Sequence, residues 1–266
     1  MNLDAPLLAR GALSGPFVLL TFRHPAVAAE ARAGQFVMIK AAAATVPLLR
    51  RPYSIMTVDR SSQTFTLFLK TVGPGSHSLA ALRPGEIACC LGPLGQSFTA
   101  PPQDCEALLV AGGFGIAPFH LFSQELRAQG RRCRVFYGGR TASDLVLREP
   151  FDLLDVPLTP STDDGSLGHQ GLVTEAVEAY LGEGHGAAAL YACGPQPMLR
   201  AVARLAQERG LPAQVSLDPW MGCGMGTCLG CVVRIQRSGE ERPGWRCACT
   251  EGPVFDAREV VWEAGS

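Results

Sequence analysis

"LLVAGGFGIAPF", residues 108–119, is the stretch on which the fold turns. It reads as a buried strand, a glycine-rich turn and the start of a helix, with Gly112, Gly113 and Gly115 at the bend and Pro118 suited to a first helical turn. A strand that turns at once into a helix is half of a β-α-β unit. The free amides at such a helix start favour an anion, and the glycines let the backbone approach a pyrophosphate. The stretch is not G-x-G-x-x-G, and taken alone it serves equally as a tight structural turn.

Downstream, the alternation continues. "APFHLFSQELRAQG" reads as a helix closed by Gly130, "RCRVFYGGR" as a strand, "GLVTEAVEAYL" as a helix, "AALYACG" as a strand, and "PQPMLRAVARLAQERG" as a helix closed by Gly210, before a last strand at "AQVSLD". This pattern predicts a parallel sheet covered by helices over residues 102–218. In "YACGPQPML", Cys193, Gly194 and Pro195 end a strand. Ligands of open α/β sheets bind beyond the carboxyl ends of strands, so these residues can line one crevice with Gly112 and Gly113. The other reading of Cys193 is a small buried hydrophobe.

Upstream, residues 1–101 show short β-like runs ("FVLLTFRHP", "GQFVMIKA", "RRPYSIMTVD", "TFTLFLKTVG", "EIACCLGPLG") broken by Gly and Pro. They predict a small antiparallel barrel or sandwich. Arg51, Tyr53 and Ser54 offer a guanidinium for phosphate, an aromatic face and a hydroxyl. The loop at Gly73, Gly75 and Ser76 adds amides and a hydroxyl suited to a diphosphate.

The remainder, residues 219–266, loses periodicity and gathers cysteine. Of ten cysteines, five (Cys223, Cys228, Cys231, Cys247 and Cys249) fall in the last forty-four residues. Cys223, Cys228 and Cys231 have the C-x4-C-x2-C spacing of a plant-type two-iron, two-sulfur site, which needs a fourth, distant cysteine. Spacing does not choose between Cys247 and Cys249, which would point the same way on an extended strand. Structural zinc is the competing use of such thiols. So glycine-rich a tail has few apolar side chains, and the sequence predicts that a metal site staples it.

Composition excludes several classes. The chain has 266 residues, 47% hydrophobic and 18% charged, with a formal net charge of -1, so no polyanion-binding footprint or disordered acidic tail is present. No nucleic-acid partner is implied. The apolar run from Ala107 to Phe119 is well short of the roughly 18 residues of a membrane span. The start carries Asp4 and no basic region ahead of an apolar stretch, so a secretion signal is not expected and the cytoplasm is.

With "RPYS" in a barrel and "GGFGIAP" and "CGPQPM" in an α/β region, the chain resembles the ferredoxin-NADP reductase superfamily. The resemblance implies FAD in the barrel and a nicotinamide nucleotide in the second domain. "CGMGTCLGC" followed by "CTEGPVFDAREVVW" extends it to the electron-transfer subunits of NAD-dependent dihydroorotate dehydrogenase. It implies three domains: an FAD-binding β-barrel (1–101), an NAD-binding α/β domain (102–218) and a small 2Fe-2S domain (219–266).

Carried over by that resemblance, FAD contacts fall on Arg51, Pro52, Tyr53 and Ser54, on Phe68, Leu69 and Lys70, and on Gly75 and Ser76. Nucleotide contacts fall on Gly112, Gly113, Gly115, Cys193, Gly194 and Pro195, and the cluster ligands are Cys223, Cys228, Cys231 and Cys249, leaving Cys247 as an extra thiol. Many relatives have Thr where this chain has Ser76, which keeps the hydroxyl, and Pro74 supplies no amide to a phosphate. NAD is favoured over NADP by the family, although Arg140 follows a strand where a guanidinium can meet a 2′-phosphate. Asp163 and Asp164 in "STDDGS" read as a turn.

A nicotinamide exchanges two electrons as a hydride and a cluster exchanges one, so a flavin belongs between them. No residue has the setting of a base for dihydropyrimidine chemistry. The resemblance puts that step in an FMN-containing catalytic partner, two copies of each chain forming a heterotetramer, docked where apolar surface is exposed around the cluster.

Overall fold

The computed structural model describes residues 3–262. Its first part comprises β1 (Asp4–Ala12), β2 (Phe17–Arg23), α1 (Pro25–Glu30), β3 (Phe36–Ala41), β4 (Arg51–Asp59), β5 (Thr64–Lys70), α2 (Pro74–Ala80) and β6 (Ile87–Leu94). The six strands close into a barrel in the order β1-β2-β5-β4-β3-β6, all neighbours antiparallel. The barrel alternative is therefore the one the chain adopts. Alternation within β3 divides its side chains: Val37 and Ile39 join the barrel core, whereas Phe36 and Met38 face outward into a second core.

The second part runs β7 (Glu106–Gly112), a 3₁₀ turn at Gly113–Ile116, α3 (Ala117–Ala128), β8 (Cys133–Gly139), a 3₁₀ turn at Ala142–Asp144, α4 (Glu149–Asp152), β9 (Leu158–Thr162), β10 (His169–Gln170), α5 (Val173–Gly182), β11 (Ala188–Cys193), α6 (Gln196–Arg209) and β12 (Ala213–Ser216). The strands are parallel. Both faces of β7 are covered: Ala107, Leu109 and Ala111 face the core shared with α3, Leu108 and Val110 the core shared with α5 and α6. A continuous apolar run is what a strand buried on both faces requires. Gly210 ends α6 in the left-handed conformation (φ 64°), as its place after "QER" suggested.

The tail adds β13 (Val232–Ile235), β14 (Gly244–Cys247) and β15 (Val254–Asp256). The first two form a hairpin, while β15 pairs antiparallel with β12 and becomes the seventh strand of the sheet, in the order β10-β9-β8-β7-β11-β12-β15. Just before β15, the Gln96 amide donates to Gly252 O (2.6 Å) and Gln96 Nε2 to Thr250 O (2.9 Å), tying the tail to the barrel. Besides the metal site that the sequence predicts, the tail also takes part in burial. Met221, Cys231, Ile235, Ala248, Cys249 and Phe255 are buried in one core with Phe36, Met38 and Leu91 of the barrel. The apolar residues are few but they share walls with two larger units.

Barrel and sheet meet through α3. Phe98 stacks on Phe119 (5.6 Å) and Phe122 (5.1 Å) and meets Tyr191 edge-on, while Tyr191 donates its hydroxyl to Thr99 O (2.8 Å). Glu125 accepts the Ala33 amide (3.1 Å), and His120 is buried between Met56 of β4 and Phe151. Truncation of Phe98→Ala should cost about 3–5 kcal/mol of stability in chemical denaturation. Burial pushes His120 below the ordinary value of 6.5, outweighing the carbonyls of Pro150 and Met56 that favour its charged form. The unfolded chain then binds the proton more readily, so this stability is present above pH about 6.5 and is lost as the pH falls below it. Urea midpoints measured across that range should drop on acidification, and the drop should be smaller in His120→Leu.

Candidate functional site

The barrel opens at one place. β4 pairs with β5 only from Ile55–Leu67 to Asp59–Thr64; Arg51 to Ser54 pair with β3 alone, and Phe68 to Lys70 pair with β2 alone. Two backbone edges therefore face each other without a ladder between them, and they belong to the residues assigned to FAD by resemblance. Phe68 and Leu69 are buried in the barrel core, Phe68 stacked on Phe17 at 5.5 Å, so β5 presents its backbone to this gap rather than these two side chains.

Beside the gap, a Cβ built on Gly75 would stand 3.3 Å from Arg51 Cγ, so the Arg51 side chain lies across the first turn of α2. A guanidinium against first-turn amides suits an anionic diphosphate. The Ser76 hydroxyl contributes differently from the sequence-based expectation. It accepts the amides of Val72 (2.9 Å) and Gly73 (3.1 Å) and donates to Gly73 O (3.0 Å), so its bonding capacity is spent in shaping the loop. Burial pushes the Tyr53 phenol up to about 12, with Arg51 opposing. A neutral, half-buried ring is what an apolar flavin wall needs. An unladdered backbone gap beside a glycine-floored cationic cradle fits FAD.

At the nucleotide end, β7 and β11 are neighbours with Ala111 opposite Cys193, and their following loops meet directly. A Cβ on Gly115 would lie 2.2 Å from Cys193 O, and one on Gly112 2.5 Å from Pro195 Cδ. These two glycines serve loop-on-loop packing, which modifies the sequence-based view of all three as pyrophosphate seats. Gly113, at φ 54° with open space beside it, is the one left facing outward. Cys193 is 8% exposed, and burial, reinforced by Asp218, raises its thiol to about 12. It stays neutral and small at the strand end, as the reading of it as a buried hydrophobe expected. Such a crevice, bounded by a helix start and small residues, fits a nicotinamide dinucleotide.

Asp144, which sequence reasoning missed, joins the two regions. Its carboxylate meets Lys70 Nζ of β5 at 3.7 Å and Arg140 Nε at 3.5 Å. The i,i+4 spacing of Arg140 and Asp144 in "RTASD" was the available signal. Asp164 accepts the Ser166 amide (3.0 Å) and hydroxyl (2.6 Å), as the turn reading expected.

The cysteine loop sits against the barrel. Gly224 and Gly226 both have φ 76° and Leu229 has φ 55°, giving a chain that winds around its thiols. The Met225 amide donates to Cys223 Sγ (3.3 Å), the largest of the effects that lower this thiol to about 6. The Gly226 amide donates to Cys249 Sγ (3.2 Å), although burial, reinforced by Cys231, holds that thiol at about 12. Cys247 ends β14, and the chain then turns, with the Thr250 and Glu251 amides donating to Cys247 O. Cys247 and Cys249 therefore do not share an extended strand, which corrects the expectation that they point the same way. Among the described residues no three His, Cys, Asp or Glu side chains are gathered to hold a single metal ion. Amide donors on two thiols and left-handed glycines between them fit an iron-sulfur cluster.

Comparison with known proteins agrees. Residues 218–261 match the iron-sulfur cluster binding domain of dihydroorotate dehydrogenase B, and residues 109–204 the oxidoreductase NAD-binding domain. The chain is 35% identical over 260 residues to the electron transfer subunit of dihydroorotate dehydrogenase B (NAD(+)) of Desulforamulus reducens, covering 98% of each chain. It belongs to that family of electron transfer subunits. The subunit of Geobacillus kaustophilus is 40% identical over 230 residues, covering 86% of each. Among solved structures, the NADH-dependent reduced ferredoxin-NADP oxidoreductase studied for flavin-based electron bifurcation superposes with a TM-score of 0.84 at 30% identity, over 97% of this chain and 90% of that one. The ferredoxin reductase of carbazole 1,9a-dioxygenase gives 0.68 at 26% identity, over 79% and 66%.

Two outcomes are expected of variants in this family member. Gly115→Ala forces a methyl into the Cys193 carbonyl, introducing about 1–3 kcal/mol of strain, read by titration as a rise in the NADH Kd of roughly 5- to 150-fold. Iron and sulfide analysis should find the cluster lost in Cys249→Ala and kept in Cys247→Ala.

Proposed function

We propose that this chain is the electron-transfer subunit of an NAD-linked dihydroorotate dehydrogenase, taking electrons from an FMN-containing catalytic subunit and delivering them to NAD+. The observation that carries the reading is the placement of the cysteine loop on the outer wall of the barrel whose next strand, β4, borders the gap. When bound, FAD, a two-iron cluster and NAD supply the exchange between single electrons and hydride.

The chain's own residues prepare each place. Arg51 and the α2 turn neutralise the FAD diphosphate, Tyr53 walls the ring, and the free edges of Arg51 to Ser54 and Phe68 to Lys70 orient it. Gly113, Gly194, Pro195 and Cys193 receive the nicotinamide nucleotide against the sheet. Cys223, Cys228, Cys231 and Cys249 hold the iron, with the Met225 and Gly226 amides favouring the reduced state by hydrogen bonding to sulfur.

Trp220, Met225, Leu229, Leu48 and Leu49, all exposed, make the apolar surface around the loop that a catalytic subunit would cover, two of each chain forming the heterotetramer. No helix among the described residues is long and apolar enough to cross a membrane. No disulfide joins the ten cysteines, which supports a reducing cytoplasmic setting.

The bifurcating oxidoreductase at 30% identity favours a second reading, a flavin and iron-sulfur subunit serving a transhydrogenase-type complex. Expression with and without a candidate catalytic subunit separates the two. The pair should oxidise dihydroorotate with NAD+, and the isolated chain should show only NADH-dependent dye reduction. Cys228→Ala should abolish transfer between subunits, as measured by the coupled assay; full coupled activity in that variant would refute the path, and recovery with a partner inert toward dihydroorotate would favour the second reading.

A further inference from the structure

The glycines of the cysteine loop rest on different floors. A Cβ on Gly226 would meet Thr250 of the tail itself at 3.3 Å, and one on Gly230 would meet Cys228 Sγ at 3.6 Å. A Cβ on Gly224 would instead stand 2.5 Å from Met38 Cγ, 3.0 Å from Leu94 Cδ1 and 3.4 Å from Met38 Sδ. Gly224 is thus pressed onto the outer wall of the barrel, at φ 76°, immediately after Cys223. Met38 is fully buried, and it is the register partner of Pro52, between Arg51 and Tyr53 on the strand that borders the gap. From Cys223 to β4 the way leads through one glycine backbone, one buried thioether side chain and one strand pairing.

We propose that the contact of Gly224 with Met38 fixes the separation between the iron-sulfur cluster and the flavin, Met38 acting as a positioning residue and Gly224 as the close-approach point that lets the loop sit on it. The proposal rests on the functional reading above. Electron transfer between two centres held by protein falls steeply with their separation, so a loop seated directly on the wall of the flavin strand gains rate from every fraction of an ångström. Met38 also keeps water out of the junction, and its sulfur is polarisable. A side chain at 224 cannot share this seat. An alanine methyl would need about 1 Å more room to reach ordinary contact.

The test uses the complex of this chain with its catalytic subunit, loaded with flavin and cluster, mixed anaerobically with NADH in a stopped-flow spectrometer. Each NADH gives two electrons as a hydride; the cluster accepts one and the flavins keep the other, and the two bleach at different wavelengths. Gly224→Ala should leave the flavin phase unchanged and slow the cluster phase severalfold per cluster present, normalised by iron and sulfide content. In Met38→Ala/Gly224→Ala, where the strain at φ 76° persists but the methyl has room, most of that rate should return.

A wild-type cluster phase in Gly224→Ala, or a double variant as slow as the single one, would overturn the proposal. If Gly224→Ala assembles no cluster, Met38→Ala alone decides: a slowed cluster phase beside an unchanged flavin phase supports the positioning role, and an unchanged cluster phase overturns it. Failure of the unaltered complex to bind iron, or to reduce its cluster with NADH, would instead sink the functional reading.

Discussion

The tail is held by two seams at once. One is the β12–β15 pairing, which makes its last strand part of the nucleotide sheet; the other is the pair of bonds from Gln96 to Gly252 and Thr250, which fastens the preceding turn to the barrel. Between the seams lies a single apolar core to which barrel, sheet and tail each contribute. The positions of the thiols relative to the gap in the barrel and to the crevice at the sheet follow from this arrangement. Burial of a shared core is cooperative in a way that a linker is not: the tail cannot shift without uncovering apolar area on both neighbours.

Close approach of backbones is the second constraint. At Gly112 and Gly115 against Cys193 and Pro195, at Gly95 against Pro253, and at Gly224 against Met38, a single methyl group would force two segments apart. These glycines lie at a strand end, a 3₁₀ turn and loop junctions rather than in the middle of regular elements, where their entropic cost would bring no packing in return. Asp144 provides the polar counterpart, with Lys70 from the barrel and Arg140 from the sheet converging on one carboxylate at the mouth between them.

Much of this was legible in the chain. Apolar runs of the right length gave β7, β8 and β11, and Gly210 marked the end of α6, because strands buried on both faces and left-handed caps leave local signatures. The cysteine spacing pointed to a cluster for the same reason, a metal site being local in sequence. What the chain concealed was long-range. That Met38 and Phe36 face outward under the tail depends on a partner nearly two hundred residues away, and alternation in β3 reads the same whichever side is covered by protein. Ser76 looked available because a hydroxyl's partners cannot be counted before the loop is folded. The turn after Cys247 was hidden because "RCACTEG" carries no Pro or Gly where the chain bends.

The outward-facing residues of β3 and β6 bear on what the barrel would be without its tail. In this chain Phe36, Met38 and Leu91 are apolar on a wall that would meet water if the tail were absent. The tail is therefore a wall of the barrel as much as a carrier of thiols: without it the barrel would turn an apolar face to water, a surface prone to association.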